Sequence, residues 1–198
     1  MRILVVVAHP KPDSFNHALA AAAADSLRAL GHEVQLQDLC ADGFDPLMPA
    51  SEFAKDAPLP PDIARRCAAL AIADGLVVVH PNWWGQPPAI LKGWLDRVVR
   101  PGVAYEFRLR ADGRPGPVGL LKLQAALVLN TGNTPLETER AVYGDPLENL
   151  WKKCVFGLCG IERVERLNFT SVIVSTPEQR TRWLEETRAA ATTLFPRN

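Results

Sequence analysis

GLVVVHPNWWGQPPAILKGWLDRVV, residues 75–99, runs from an apolar segment through an aromatic, proline-bearing turn into an amphipathic one. Its first part, GLVVVH, is continuously apolar and β-branched, as a strand buried on both faces should be. Residues 88–99 have helical spacing, with proline at the first turn. A strand covered on both faces belongs to a mostly parallel sheet, whose repeating unit is strand, turn and helix.

The same unit recurs on either side. Upstream, residues 2–7 are another β-branched run, 14–30 an alanine-rich helix ending at Gly31, and 33–38 an alternating strand. Residues 41–61 are irregular, with Pro46, Pro49, Pro58, Pro60 and Pro61, and 62–73 are helical. Downstream, 101–121 form a glycine- and proline-rich connection, 122–130 a fourth strand and 131–135 a polar turn. A helix over 137–160 breaks near residues 144–146, residues 163–168 are the fifth strand, and 176–194 the last helix, with Thr176 as its N-cap. Right-handed crossovers then give one α/β domain over 1–198, a doubly wound five-stranded parallel sheet with helices on both faces. With the first strand near the centre the order is 2-1-3-4-5. Ligands of such sheets sit beyond the strand C-termini, where the winding reverses between strands 1 and 3.

The 198 residues suit one domain, and 47% hydrophobic content suffices for a core. Lysine plus arginine and aspartate plus glutamate number 22 each, and no basic stripe argues for nucleic acid. The apolar start, residues 3–8, is cut off by His9, Pro10 and Lys11, short of a secretory core of roughly 7–15 residues. No run reaches the roughly 18 apolar residues of a membrane span. A soluble, cytoplasmic protein is expected. Cys40, Cys67, Cys154 and Cys159 form no C-x-x-C and lack histidines at zinc spacing, so they read as buried free thiols with no metal site.

Three loops should meet at the crevice. The first, AHPKPDSFNHAL, leads from strand 1 into a helix, and Ser14 and Asn16 stand beside the free N–H groups of the helix start, a ready anion site. Ser14 or Asp13 could equally serve only as a cap. His9 could reach a phosphate or satisfy the backbone, and His17 reads as an exposed helix residue. The second, PNWWGQPP, carries Trp83 and Trp84, which cannot both point inward from one turn. One ring, Trp84, is therefore expected against a planar ligand, with backbone N–H groups of residues 82–85 on that ligand's polar edge, while Trp94 is core. The third, NTGNTPLE, offers small amides and hydroxyls. Downstream, Tyr143-Gly144-Asp145-Pro146 could bring a phenol over the crevice as a wall or proton donor. A rigid aromatic turn beside an anion-binding helix start points to a flavin.

With these residues in hand, the chain resembles the flavodoxin-like NAD(P)H:quinone oxidoreductases, the DT-diaphorase or modulator-of-drug-activity-like proteins. The resemblance rests on Ala8-His9 with Ser14-Phe15-Asn16, on Pro81, Trp84 and PAILKGW-x-DRV over residues 88–98, and on the Thr-Gly turn followed by Gly144-Asp145. It implies hydride transfer from NAD(P)H through flavin N5 to a quinone, with donor and acceptor stacking in turn on one flavin face. It also implies a homodimer with the site at its interface. Ser14, Phe15 and Asn16 would hold the phosphate end, helped by His9. Pro81, Asn82, Trp83, Trp84, Gly85, Asn130, Thr131, Gly132 and Asn133 would line the isoalloxazine. Tyr143 and Trp84 are the catalytic candidates, Tyr143 standing where other members carry a histidine before the Gly-Asp pair. Residues 39–61 are shorter than the matching segment of FAD-binding members, which makes FMN the first cofactor and FAD the second. Azo- or nitro-reduction is the same chemistry on another flat acceptor. Relatives also act as ancillary subunits of potassium-efflux transporters, implying a possible peripheral membrane partner. A flavodoxin-type electron carrier is disfavoured by the neutral charge. Arg108, Arg110 and Arg114 read as a solvated loop face, leaving NADH against NADPH open.

Overall fold

The computed structural model describes residues 1–54, 57–110 and 113–197. Positions 55, 56, 111 and 112, which fall in the two expected irregular connections, lie outside the described residues, as does 198.

Five parallel strands form the central sheet: β1 (Arg2–Val7), β2 (Glu33–Asp38), β3 (Gly75–Pro81), β6 (Ala125–Thr131) and β7 (Val164–Phe169). Their order is β2-β1-β3-β6-β7. Numbering only these five gives 2-1-3-4-5, the flavodoxin-like arrangement expected. Every residue of β3 and β6 is buried, which is why both are apolar up to the polar residues at their C-terminal ends, while β2 and β7 are edges.

Each face of the sheet is covered. Ile3, Val5, Val7, Val77 and Val79 pack with α1 (Phe15–Ala29) and α6 (Pro177–Leu194). Leu4, Val6, Val78 and Val128 pack with α2 (Pro61–Ile72), α3 (Ala89–Val98) and Trp151. Trp94 lies in that second layer, 1% exposed, as its place on the helix implied. Gly93 of the PAILKGW run lies so near residue 46 that an added Cβ would sit 2.3 Å from the Pro46 carbonyl oxygen.

Two expectations need correction. The connection over 101–121 contains an antiparallel hairpin, β4 (Tyr105–Leu109) and β5 (Pro115–Gly119). The second strand, PGPVG, carries residues that strands avoid; a two-stranded ribbon tolerates them because half its amides need no partner. On this hairpin Arg108 is paired with Glu106 at 2.9 Å. The fourth strand of the main sheet begins at Ala125 rather than 122 and extends to Thr131, one residue beyond its expected end. The helix over 137–160 breaks where expected: α4 (Leu136–Ala141) ends, Asp145 takes a left-handed φ of 46°, and α5 (Pro146–Glu148) continues as a π-helical segment, Asn149–Phe156.

Of the cysteines, Cys67 and Cys159 are buried, Cys40 is half-buried and Cys154 exposed, all as free thiols. Among the described residues no helix is long and apolar enough to cross a membrane, and no group of three or more His, Cys, Asp or Glu could hold a metal ion.

Candidate functional site

The loop from β1 to α1 ends at Ser14, whose Oγ caps the helix by accepting the His17 N–H at 3.4 Å. Asp13, just before it, has φ 57°. The amides of Phe15 and Asn16, in the first turn, have no acceptor among the described residues. That first turn is therefore open to an anion. The Asn16 side chain is spent elsewhere: Nδ2 donates to Thr131 Oγ1 at 2.9 Å and Oδ1 accepts from the same hydroxyl at 3.2 Å. This pair clasps α1 to the end of β6. The Phe15 ring turns away from the crevice, 6.4 Å from Phe169 and 5.8 Å from Trp183 beneath α6. His9 accepts the Lys11 N–H at Nδ1 (3.1 Å), and its ring lies 6.2 Å from that of Trp83. Burial holds its pKa below the usual histidine range.

The turn after β3 is a two-residue hairpin. Trp83 and Gln86 exchange both backbone hydrogen bonds at 3.0 Å, and Trp84 and Gly85 between them have φ of 58° and 72°. That is the type I′ geometry, in which both central residues are left-handed. Asn82 fixes the turn to its surroundings. Its N–H donates to the Thr131 carbonyl (2.6 Å), its Oδ1 accepts the Gly85 N–H (2.9 Å), and its Nδ2 donates to buried Glu139 (2.9 Å). The expectation that the amides of residues 82–85 face a ligand thus fails for three of them, since Asn82, Trp83 and Gly85 donate within the protein. Only the Trp84 amide lacks an acceptor among the described residues. The Trp84 indole is fully exposed, and that of Trp83 is half-exposed.

Beyond β6, the Gly132 N–H donates to the Phe169 carbonyl (2.9 Å), and its own carbonyl accepts the Val172 N–H (3.1 Å). Asn133 Oδ1 accepts the Ile173 N–H at 3.0 Å, so its side chain anchors the turn after β7. The amides of Asn133 and Thr134 have no acceptor among the described residues. A cavity of about 500 Å³ opens here, lined by Asn82, Trp84, Gly85, Gly132, Asn133, Thr134, Glu139, Tyr143 and Pro146. Sites of roughly 300–1,000 Å³ hold small ligands and cofactors. Tyr143 and Trp84 stand exposed at its mouth, with Val142, Ile173 and Val174 exposed nearby.

Behind the crevice lies a buried polar network. His80 donates from Nδ1 to the Pro81 carbonyl (2.8 Å), while its Nε2 accepts from Asn130 Nδ2 (2.7 Å) and Trp151 Nε1 (2.9 Å). Two donors on Nε2 require the neutral Nδ1–H ring. Burial agrees with this, pushing the His80 pKa down to about 4, with the Arg166 charge acting in the same direction. Arg166 Nε donates to Asn130 Oδ1 (2.6 Å) and Nη1 to Asp145 and Glu148 (3.0 Å each). The network links the end of β3 to the segment that carries Tyr143.

Of the expected residues, Asn82, Trp84, Gly85, Gly132, Asn133 and Tyr143 line the cavity. His9, Ser14, Asn16, Pro81, Trp83 and Thr131 lie outside that lining, in the β1–α1 connection and the first turn of α1, at the ends of β3 and β6, and in the tryptophan turn. Several expected side chains are spent within the protein, those of Asn16 on Thr131 and Asn133 on the Ile173 N–H among them. The Phe15 side chain belongs to the α6 layer, and Asn130, 0% exposed, hydrogen-bonds inside the protein. His80, Glu139, Trp151 and Arg166 were not singled out from the sequence. A signal for part of this set existed: His80 and Asn130, paired in register, are polar residues closing two apolar strands, and Asn168 of β7 continues the row. The described residues include four non-glycine positions with left-handed φ, Asp13, Trp84, Asp145 and Ser171, and all lie in the loops at this edge. Such conformations cost about 1–3 kcal/mol each and concentrate at binding sites.

The family model described as a flavodoxin-like fold matches residues 1–194. The chain belongs to this flavodoxin-like family. Among curated proteins it is 30% identical over 206 residues to NAD(P)H dehydrogenase (quinone) 1 of Rattus norvegicus, across 93% of this chain and 74% of that one. It is 30% identical over 203 residues to the human ribosyldihydronicotinamide dehydrogenase (quinone), across 90% and 86%. Among solved structures, the NAD(P)H:quinone oxidoreductase of Methanothermobacter marburgensis superposes with a TM-score of 0.84 at 25% identity, covering 98% of this chain and 96% of that one.

A flavin fits the donor inventory of the crevice. Free amides at the start of α1 suit a phosphate, and those of Trp84, Asn133 and Thr134 suit the polar edge of a flat heterocycle. The apolar mouth suits a second flat molecule.

Proposed function

We propose that this protein is a flavin-dependent NAD(P)H dehydrogenase (quinone). The observation that carries the proposal is the pairing of an open, anion-ready start of α1 with a cavity whose mouth is walled by Trp84 and Tyr143. The relatives named above, quinone oxidoreductases at about 30% identity, support the same reading. FMN is the preferred cofactor, with FAD second. Once bound, the flavin would supply hydride acceptance at N5 from NAD(P)H and donation to a quinone in alternation.

The chain's own tasks follow from its groups. The first-turn amides of α1 and the Ser14 hydroxyl hold the phosphate. The amides of Trp84, Asn133 and Thr134 bond the polar edge of the ring, with Pro81 and Gly132 beneath. Asn82, clasped between Gly85 and Glu139, keeps the tryptophan turn in place. Trp84 covers the acceptor and excludes water. Tyr143 gives a phenolic proton to the reduced quinone oxygen. The exposed apolar rim of Trp84, Val142, Tyr143, Ile173 and Val174 supports a homodimer in which a second copy covers the mouth. Light scattering of the purified protein would report its mass.

Steady-state kinetics test the proposal. Varying NADPH or NADH at several quinone concentrations should give parallel double-reciprocal lines, because both substrates use one site in turn. Intersecting lines, or no turnover with flavin added, would overturn it.

A further inference from the structure

The Ser14 hydroxyl, proposed above to hold the phosphate, is the end of a chain of hydrogen bonds through His17 to Asp38, and the proposed function gives those two residues no role. His17 is no exposed helix residue: its side chain is 23% exposed and that of Asp38 19%. Asp38, at the end of β2, accepts the backbone N–H groups of Cys40 and Ala41 on Oδ1, both at 3.1 Å. Its Oδ2 lies 2.9 Å from His17 Nε2, and His17 Nδ1 lies 2.7 Å from Ser14 Oγ.

The direction of each bond follows from the inventory of donors. A carboxylate only accepts, so His17 Nε2 must carry a hydrogen. The state of Nδ1 then decides what Ser14 can do. In the neutral ring Nδ1 is bare, and the Ser14 hydroxyl gives it its only proton. In the imidazolium, Nδ1–H donates to Ser14 Oγ, and the hydroxyl proton is released. Ser14 caps α1 beside the two first-turn amides that lack acceptors, so a released proton joins those donors where an anion would sit. Protonation also adds a positive charge there, held by Asp38.

We propose that the flavin's phosphate monoester binds with uptake of one proton at His17, which acts on it as a positioning residue through Ser14. This rests on the flavin reading above. The ligand is the monoester of FMN, whose three terminal oxygens can meet the hydroxyl and both amides. The other titratable groups around His17 do not substitute for it. His9, its ring 6.3 Å away, has its pKa lowered by burial. Lys11 bonds to His9 through its backbone, and its charge opposes protonation there. The thiol of Cys40 is pushed up by burial and by Asp38.

The test uses the apoprotein, titrated with FMN and with riboflavin by flavin fluorescence between pH 7 and 9. Over that range the monoester is already a dianion, its second pKa being about 6. The FMN Kd should rise toward a limiting slope of about tenfold per pH unit, as loss of one proton requires. Riboflavin should show no slope, and His17→Gln should flatten the FMN profile. Calorimetry of the unaltered protein in two buffers of different ionisation enthalpy should report up to one proton taken up per FMN, independently of whether the variant folds. A flat FMN profile, an equal slope for riboflavin, or no proton uptake would overturn the relay while leaving the flavin reading intact. Failure of both flavins to bind at every pH would remove the flavin reading and the relay with it.

Discussion

Replacing Trp84 with asparagine separates what the tryptophan turn does for folding from what it does for binding. Trp84 is 101% exposed, so removing the indole forfeits no buried area. Its φ of 58° costs an ordinary L-residue about 1–2 kcal/mol. Asparagine tolerates that conformation far better, and Asn-Gly is the favoured pair for a type I′ turn. Trp84→Asn should therefore stabilise the protein by about 0.5–1 kcal/mol, which for a chain of this size raises Tm by roughly 1–4 °C. Thermal and urea unfolding of the flavin-free protein measure this, at two protein concentrations. Meanwhile kcat/KM for a flat quinone such as menadione should fall by about 2- to 10-fold, the worth of one aromatic contact of about 0.5–1.5 kcal/mol. Destabilisation by more than about 1 kcal/mol that is independent of protein concentration would refute the reasoning, because it would mean the indole is buried within one chain. If that loss grew with protein concentration, the burial would lie between copies. Unchanged quinone kinetics would remove Trp84 from the acceptor wall.

Other perturbations probe the layers behind the site. His80 binds its proton at a pKa of about 4 when folded, against 6.5 for an ordinary histidine, so the unfolded chain takes up more protons between those values. Stability should rise with pH through that window, by roughly 3 kcal/mol in all, and denaturation curves of His80→Gln should lack this component; an unchanged slope would place the titration elsewhere. Arg166→Met leaves Asp145 and Glu148 without their shared partner on a side chain that is 2% exposed. It should cost about 3–5 kcal/mol, read by urea unfolding, and raise the quinone KM by loosening the Tyr143 segment. Gly93→Ala drives a methyl against the Pro46 backbone at 2.3 Å, and should cost about 1–3 kcal/mol in chemical denaturation.

The architecture was legible wherever burial and periodicity agreed. The continuous apolar runs of β1 and β3 made a doubly wound sheet the economical reading, and Ser14 and Gly31 marked the limits of α1. The hairpin β4–β5 was not legible, because Pro115, Gly116 and Pro117 carry the signature of a loop and only pairing with β4 makes them a strand. The crevice was legible in outline from the loops that leave β1, β3 and β6. What could not be read was where each polar group spends its hydrogen bonds. Asn130 and Asn133 look equivalent in NTGN, yet one is sealed behind the strand ends and the other anchors the turn after β7. The Asn16 side-chain amide could have met a phosphate, but Thr131 lies beside it only after folding. His17 likewise gains its role from Asp38, twenty-one positions away and brought near by the β1–β2 pairing.

The most direct test of the central claim is an anaerobic visible spectrum of the purified protein reconstituted with FMN, recorded after NADPH or NADH and again after menadione. The account predicts flavin bands that bleach with the nicotinamide and return in full with one equivalent of quinone. A protein that takes up neither FMN nor FAD, or whose bound flavin is unaffected by either nicotinamide, would contradict it.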